Sequence, residues 1–118
     1  MEHGLKITNG NRLVIPEIIR YNYLPCDGTM LYIWHRERET NYLAILDGYE
    51  QYVREEAFSR IMPKALARYY KRLFCRNIKT ATIKNNAIKL PDESIKHLGA
   101  ENIELRIRKG LLEIWPLT

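Results

Sequence analysis

No stretch of this 118-residue chain comes near the roughly 20 consecutive apolar residues of a membrane span, and its start does not resemble a secretory leader. Cysteine is scarce: Cys26 and Cys75 stand alone, far from each other. Two such residues fit a pair of buried free thiols in a reducing compartment better than a disulfide framework, and they make no zinc site. The three histidines, His3, His35 and His97, have no partner at metal-ligand spacing, and His97 is expected to serve a helix dipole or face solvent. The pairs Glu55-Glu56 and Asp92-Glu93 are adjacent in sequence, point apart on a helix and read as helix-end charges, not as an acid/base couple. Thr8-Asn9-Gly10-Asn11-Arg12 has glycine and a base but no phosphate-loop spacing. The expectation is a cytoplasmic protein that is not an enzyme, with no metal, no cofactor and no small-molecule substrate.

Acid is also missing from one long window. Ala57 to Pro91 holds nine basic residues (Arg60, Lys64, Arg68, Lys71, Arg72, Arg76, Lys79, Lys84, Lys89) and no Asp or Glu. The net charge is +5, and in the rest of the chain the fourteen acids outnumber the bases, so this window carries the whole excess. Unopposed charge of one sign suits a polyanion or an oligomer partner; a solvated helix face is the plainer alternative.

What the chain does have is a repeat. Asn11-Arg12-Leu13-Val14-Ile15-Pro16-Glu17 returns as Asn86-Ala87-Ile88-Lys89-Leu90-Pro91-Asp92, at an offset of 75 residues. Each copy reads as strand, turn, short β-branched strand, proline, short helix and then a hairpin. A unit this small cannot bury its apolar face alone, so the two copies should complete one core. The turns fall at residues 8–11 and 84–86, and Asn-Gly favours the positive φ that a tight hairpin needs. Pro16-Glu17 and Pro91-Asp92-Glu93 open helices, and Gly99 caps the second. The apolar side of the first helix should be Ile18, Ile19 and Tyr23. Residues 29–35 and 42–46 are strands joined by a solvated charged tip, Arg36 to Asn41, and Ile103 to Arg108 alternates as a half-buried strand. Between the copies lie helices over 49–58 and 63–75, the second with Leu66, Tyr69 or Tyr70, and Leu73 at helical spacing. The expected boundaries are 1–48, 49–76 and 77–118 within a single domain, and the expected core includes Ile15, Leu90, Leu105, Ile107 and Ile114. Trp34 and Trp115, at the ends of equivalent strands, should anchor a core or interface.

This plan resembles the AbrB-type swapped-hairpin DNA-binding unit, and two copies around a helical segment resemble the MraZ family. Arg12-Leu13-Val14-Ile15-Pro16 is similar to that family's Gly-Arg-Leu-x-(Ile/Val/Leu)-Pro stretch. Met62-Pro63 and the helix to Cys75 fall where its inter-repeat helix falls, and Leu98-Gly99-Ala100 through Leu112-Glu113-Ile114-Trp115-Pro116 resembles its ending. The resemblance implies an α+β, pseudo-two-fold double-repeat swapped-hairpin β-barrel with an inter-repeat helical insertion. It further implies a nucleoid-associated regulator of the division and cell-wall gene cluster that binds double-stranded DNA at short direct repeats and assembles into homo-oligomeric rings. The family's Asp-x-x-x-Arg signature falls on Thr8 and Arg12 in the first copy and, at constant offset, on Ile83 and Ala87 in the second, so only Arg12 carries over. Lys84 and Lys89 are partial substitutes as phosphate-neutralising point charges, and Lys6, Arg20 and Lys79 are further candidates for DNA contact. The loss in the second copy supports a different class, a protein-interaction module that keeps the fold without reading DNA. An antitoxin-like variant lies between the two, although no disordered arm follows the last strand to engage a toxin.

Overall fold

A computed structural model describes residues 3–117 of the chain; the side chain of His3 lies outside the described part. Alternating apolar residues and turn-forming asparagines and glycines give eight strands: β1 (His3–Lys6), β2 (Arg12–Val14), β3 (Met30–Arg38), β4 (Thr40–Leu46), β5 (Ile78–Lys84), β6 (Ala87–Lys89), β7 (Asn102–Arg108) and β8 (Leu111–Pro116). Four helices accompany them: α1 (Glu17–Tyr23), α2 (Gly48–Ile61), α3 (Lys64–Arg76) and α4 (Asp92–Leu98). The fold is mixed α+β, and its one antiparallel sheet runs in the order β1-β7-β8-β4-β3-β5-β6-β2. A bridge between Thr8 and Arg12 links the two ends of that order, so the sheet is nearly closed into a barrel.

The pairing order has a physical cause. The strands β2 and β6 are three residues long, too short to hold a sheet position by themselves. They pair with each other, Arg12 opposite Lys89, Leu13 opposite Ile88 and Val14 opposite Ala87. Likewise β1 pairs with β7, β3 with β5 and β4 with β8, so strands from residues 3–46 lie beside strands from residues 78–116. One core results, with Leu13, Ile15, Ile19, Leu31 and Ile33 meeting Ile83, Ile88, Leu90, Ile103 and Leu105. Of the five residues expected in it, Ile15, Leu90, Leu105 and Ile114 are buried, whereas Ile107 is only partly buried and packs against the core edge.

The two turns are not the same length. Thr8 and Arg12 enclose Asn9, Gly10 and Asn11, with Gly10 at φ 81° and Asn11 at 60°, while Lys84 and Ala87 enclose only Asn85 and Asn86, at 52° and 61°. All four positive-φ positions carry the residue types that adopt it at least cost. Because of the extra residue, Ile7 corresponds to Ile83 and Thr8 to Lys84; the backbone agrees, since Ile7 N–H donates to Glu101 as Ile83 N–H donates to Thr29. The offset of 75 that set Thr8 against Ile83 holds only from the turn through the short helix that follows it.

Other expectations are corrected. The charged tip is no loop: β3 and β4 stay paired out to Arg38 opposite Thr40, with Glu39 at φ 64° making the reversal. On α1 only Ile19 is buried, and Ile18 and Tyr23 are exposed because a seven-residue helix offers the core little more than one position. On α3 the core-facing residues are Ala67 and Phe74, whereas Leu66, Tyr69 and Tyr70 are exposed. Both thiols are exposed, against the expectation of burial; the Cys75 thiol is still pushed up by partial desolvation and by neighbouring Glu55. Trp34 lies inside β3, which corresponds to β7 and not to the strand of Trp115.

Leu13 and Ile88 face each other at the centre of the β2·β6 pair, both fully buried, so Leu13→Ala should cost about 2–5 kcal/mol of unfolding free energy in a denaturant titration. Val14→Ala on the outward face of the same strand should stay within about 0.5 kcal/mol.

Candidate nucleic-acid interface

Alternation decides what the outer face of β5, β6 and β2 presents. Along β5, Ala81 and Ile83 turn inward and Thr82 and Lys84 outward. On β2, Leu13 is inside while Arg12 and Val14 are outside. Register then sets Arg12 beside Lys89 and Lys84 beside Ala87. A shallow cleft of about 390 Å³ results, lined by Asn9, Gly10, Arg12, Thr82, Lys84, Asn85, Ala87 and Lys89. Three of these residues are cationic and none is acidic. A convergent basic surface on an antiparallel sheet can neutralise closely spaced anions, and strands of this kind can enter a DNA groove.

Each turn at the rim is tied to the other half of the chain. Ile15 N–H donates to Asn86 O at 2.7 Å and Leu90 N–H to Asn11 O at 2.8 Å, which are equivalent bonds. Side chains add to this. Asn11 Nδ2 donates to Asp92 Oδ1, and Asn85 N–H donates to Asp27 Oδ2 at 3.1 Å. Asp27 Oδ1 in turn takes a 2.8 Å bond from Arg20 Nη2. The Arg20 guanidinium and the Asn85 amide hold the Asp27 carboxyl below the usual carboxylate range.

Of the six candidate residues, the structure gathers Arg12, Lys84 and Lys89 in the cleft. Lys6 lines an adjoining hollow with Ile7, Thr8, Asn9 and Glu101. Arg20 is engaged with Asp27, its side chain only 14% exposed, and it is not among the residues lining the cleft. Lys79 lies at the other end of β5 from Lys84, with Nζ 2.8 Å from Glu93. The outward placement of Thr82 was legible in the alternation of Thr80 to Lys84. The roles of Asp27 and Asp92 had no local signal, because their partners lie 58 and 81 residues away.

The basic window is less unopposed in space than in sequence. Lys71 pairs with Glu56 of α2 at 3.6 Å and Lys79 with Glu93 of α4. A second concentration of charge involves rings: Arg36 lies 4.0 Å over Trp34, Arg106 lies 4.3 Å over Trp115, and Tyr42 stacks on Trp115 at 4.0 Å. Those guanidiniums cover indoles, which leaves Trp115 nearly buried and suits the anchoring expected of it.

The histidines form the remaining cluster. His35 and His97 stack at 4.7 Å, His35 Nε2 is 2.7 Å from Ser94 Oγ, and His97 Nε2–H donates to Arg36 O at 2.7 Å. His97 therefore neither faces solvent nor simply serves a dipole. Leu31 pairs with Ala81 as Ile103 pairs with Leu5, which makes Ile107 the counterpart of His35, and Ile19 is the counterpart of Ser94. A polar pair thus stands where the other half has two isoleucines. Among the described residues no group of three or more metal-ligating side chains occurs, and no helix is long and apolar enough to cross a membrane.

The sequence matches no protein-family model and no curated protein.

Burial, then His97 and Lys79, lower the His35 pKa from 6.5 to about 4, with Glu93 opposing. The unfolded chain binds this proton more readily, so His35 adds stability above pH 6.5 that is lost as pH falls from there to about 4. The loss should be about 2 kcal/mol, discounted for partial exposure. Unfolding titrations across that range should show the slope, and His35→Leu should flatten it.

Proposed function

We propose that this protein is a double-stranded-DNA-binding transcriptional regulator of the MraZ type, built as a double-repeat swapped-hairpin barrel. The observation that carries the reading is the convergence of Arg12, Lys84 and Lys89 on one acid-free sheet face, drawn from both copies of the repeat. The inter-copy pairs β1·β7, β2·β6, β3·β5 and β4·β8 support the swapped arrangement: exchanging each strand for its counterpart leaves the pairing unchanged.

The chemistry divides the work. Arg12 is the one arginine in the cleft, and its planar fork suits guanine O6 and N7. Lys84 and Lys89 are point charges suited to phosphate. Val14 and Thr82, on the same face, offer apolar surface to a thymine methyl. In this reading the protein works in the cytoplasm on the nucleoid, with no catalysis, no cofactor, no small-molecule substrate and no membrane.

Further association is proposed through the inter-repeat helices. α2 has no buried residue over its fourteen positions, and Tyr49, Tyr52, Ile61, Leu66 and Tyr69 stand exposed on α2 and α3. A pseudo-dimer has used its two-fold surface internally, so contacts between copies would be head-to-tail, and such contacts close into a ring when the rotation permits.

A second reading rests on one residue. Ala87 takes the place equivalent to Arg12 and is nearly buried beside exposed Val14, so half of the face has lost its arginine. A protein-interaction or antitoxin-like module would use the same face to dock a partner.

Binding to duplex DNA should fall with salt at a log–log slope near −0.9 per phosphate neutralised. Arg12→Ala should cost about 1–3 kcal/mol and weaken the preferred site more than random duplex. Lys84→Ala and Lys89→Ala should weaken all duplexes alike and each flatten the slope by about one unit. No binding to any duplex at low salt would move the assignment to the interaction module. Sedimentation at tens of micromolar should show an oligomer, and a 14.0 kDa species would count against the ring.

A further inference from the structure

We propose that Asp27 is a positioning residue of the DNA-binding surface, holding the Asn85-Asn86 turn so that Lys84 and Lys89 stand at phosphate spacing, with Arg20 acting through Asp27 and not on DNA. This rests on the DNA-binding reading and names how one side of that surface is kept in place.

The two rims of the cleft are built from different lengths of chain. The Arg12 side has a three-residue turn, and Asn11 is tied to Asp92 at the start of α4. The Lys84 side has only Asn85 and Asn86 between strands, both at positive φ, and β5 and β6 are paired there only through Ile83–Ile88 and Lys84–Ala87. β6 is held by β2 and Asn86 O by the Ile15 N–H, so the side that a two-pair ladder leaves loose is the end of β5, Lys84 and Asn85. The loop after α1 supplies what the ladder lacks. Gly28 N–H donates to Ile83 O at 2.8 Å, and one residue earlier Asp27 accepts the Asn85 N–H. That amide belongs to the first turn residue after Lys84. The other Asp27 oxygen holds Arg20, which is not among the cleft residues and fixes the carboxylate's orientation.

Electrostatics makes the claim testable, because it predicts the opposite sign from the plain alternative. A carboxylate near a phosphate-binding face repels DNA, so if Asp27 were only a surface acid its removal would tighten binding and steepen the salt dependence. If Asp27 holds the turn, removal frees Lys84 to sample other positions and weakens binding despite the lost repulsion.

Affinity for a random duplex should be measured for wild type, Asp27→Ala, Lys84→Ala and the double variant. The expected result is about a threefold to tenfold loss for Asp27→Ala that disappears when Lys84 is already alanine. Arg20→Ala should lose less than Asp27→Ala, leave the salt slope unchanged, and have no effect in the Asp27→Ala background. Amide hydrogen exchange read by NMR should accelerate at Asn85 and Asn86 in Asp27→Ala and stay unchanged at Asn11. Tighter binding by Asp27→Ala, additivity with Lys84→Ala, or unaltered exchange at Asn85 would each overturn the positioning role while leaving the DNA reading intact. Absence of binding by wild type would overturn the DNA reading and, with it, the task given to Asp27; altered exchange at Asn85 would then show only a structural pin.

Discussion

The pairing of β2 with β6 is the constraint on which the rest of the structure depends. Each is a three-residue strand with one inward side chain, Leu13 or Ile88, and the two side chains face each other in the centre of the core. Neither strand has enough ladder bonds or apolar area to stay folded within its own half of the chain. Their mutual pairing attaches β2 to the sheet, where the Thr8–Arg12 bridge nearly closes it, and brings the two turns side by side. The cleft containing Arg12, Lys84 and Lys89 is therefore a product of the same contact that completes the core.

On this frame the sequence lays differences that matter chemically. Arg12 faces outward in one half where Ala87 stands in the other, and a three-residue turn is matched by a two-residue one. Lys84, once the turn lengths are taken into account, corresponds to Thr8. In the proposed function this gives one half a side chain able to discriminate bases and the other half charges that anchor. Inside, Ile19 and Ile107 correspond to Ser94 and His35, so α4 packs against a histidine whose burial favours the uncharged ring, whereas isoleucines stand at the equivalent places beside α1. The cost of burying imidazole is met by a hydroxyl partner and by stacking on His97.

The helices α2 and α3 follow a different logic. α3 packs Ala67 and Phe74 inward, and Phe74 meets Trp34 edge-on at 5.1 Å. α2 rests on that layer through Phe58, which contacts Phe74 and Tyr70, and buries no residue fully. Its tyrosines are left on the outside, a surface more apolar than a lone helix pair needs.

Local chemistry in the sequence was enough for the turns at Asn9-Gly10 and Asn85-Asn86, the helix starts after Pro16 and Pro91, the cap at Gly99 and the alternating strands, because each depends on residues within a few positions. The outward sequence Thr82, Lys84 and the candidate Arg12 were legible for the same reason. Three things were decided only in the folded state. The one-residue difference in turn length is invisible until backbone bonds show that Ile7 matches Ile83. The acids that neutralise Lys71 and Lys79 lie on other elements, so a run of basic residues in sequence overstated the charge in space. Arg20 and Asp27 belong to one network with Asn85, a bond spanning 58 residues, and no short-range pattern encodes it. Backbone preference acts over neighbouring residues, whereas charge pairing and burial act over distance in space, and only the packed fold sets those distances.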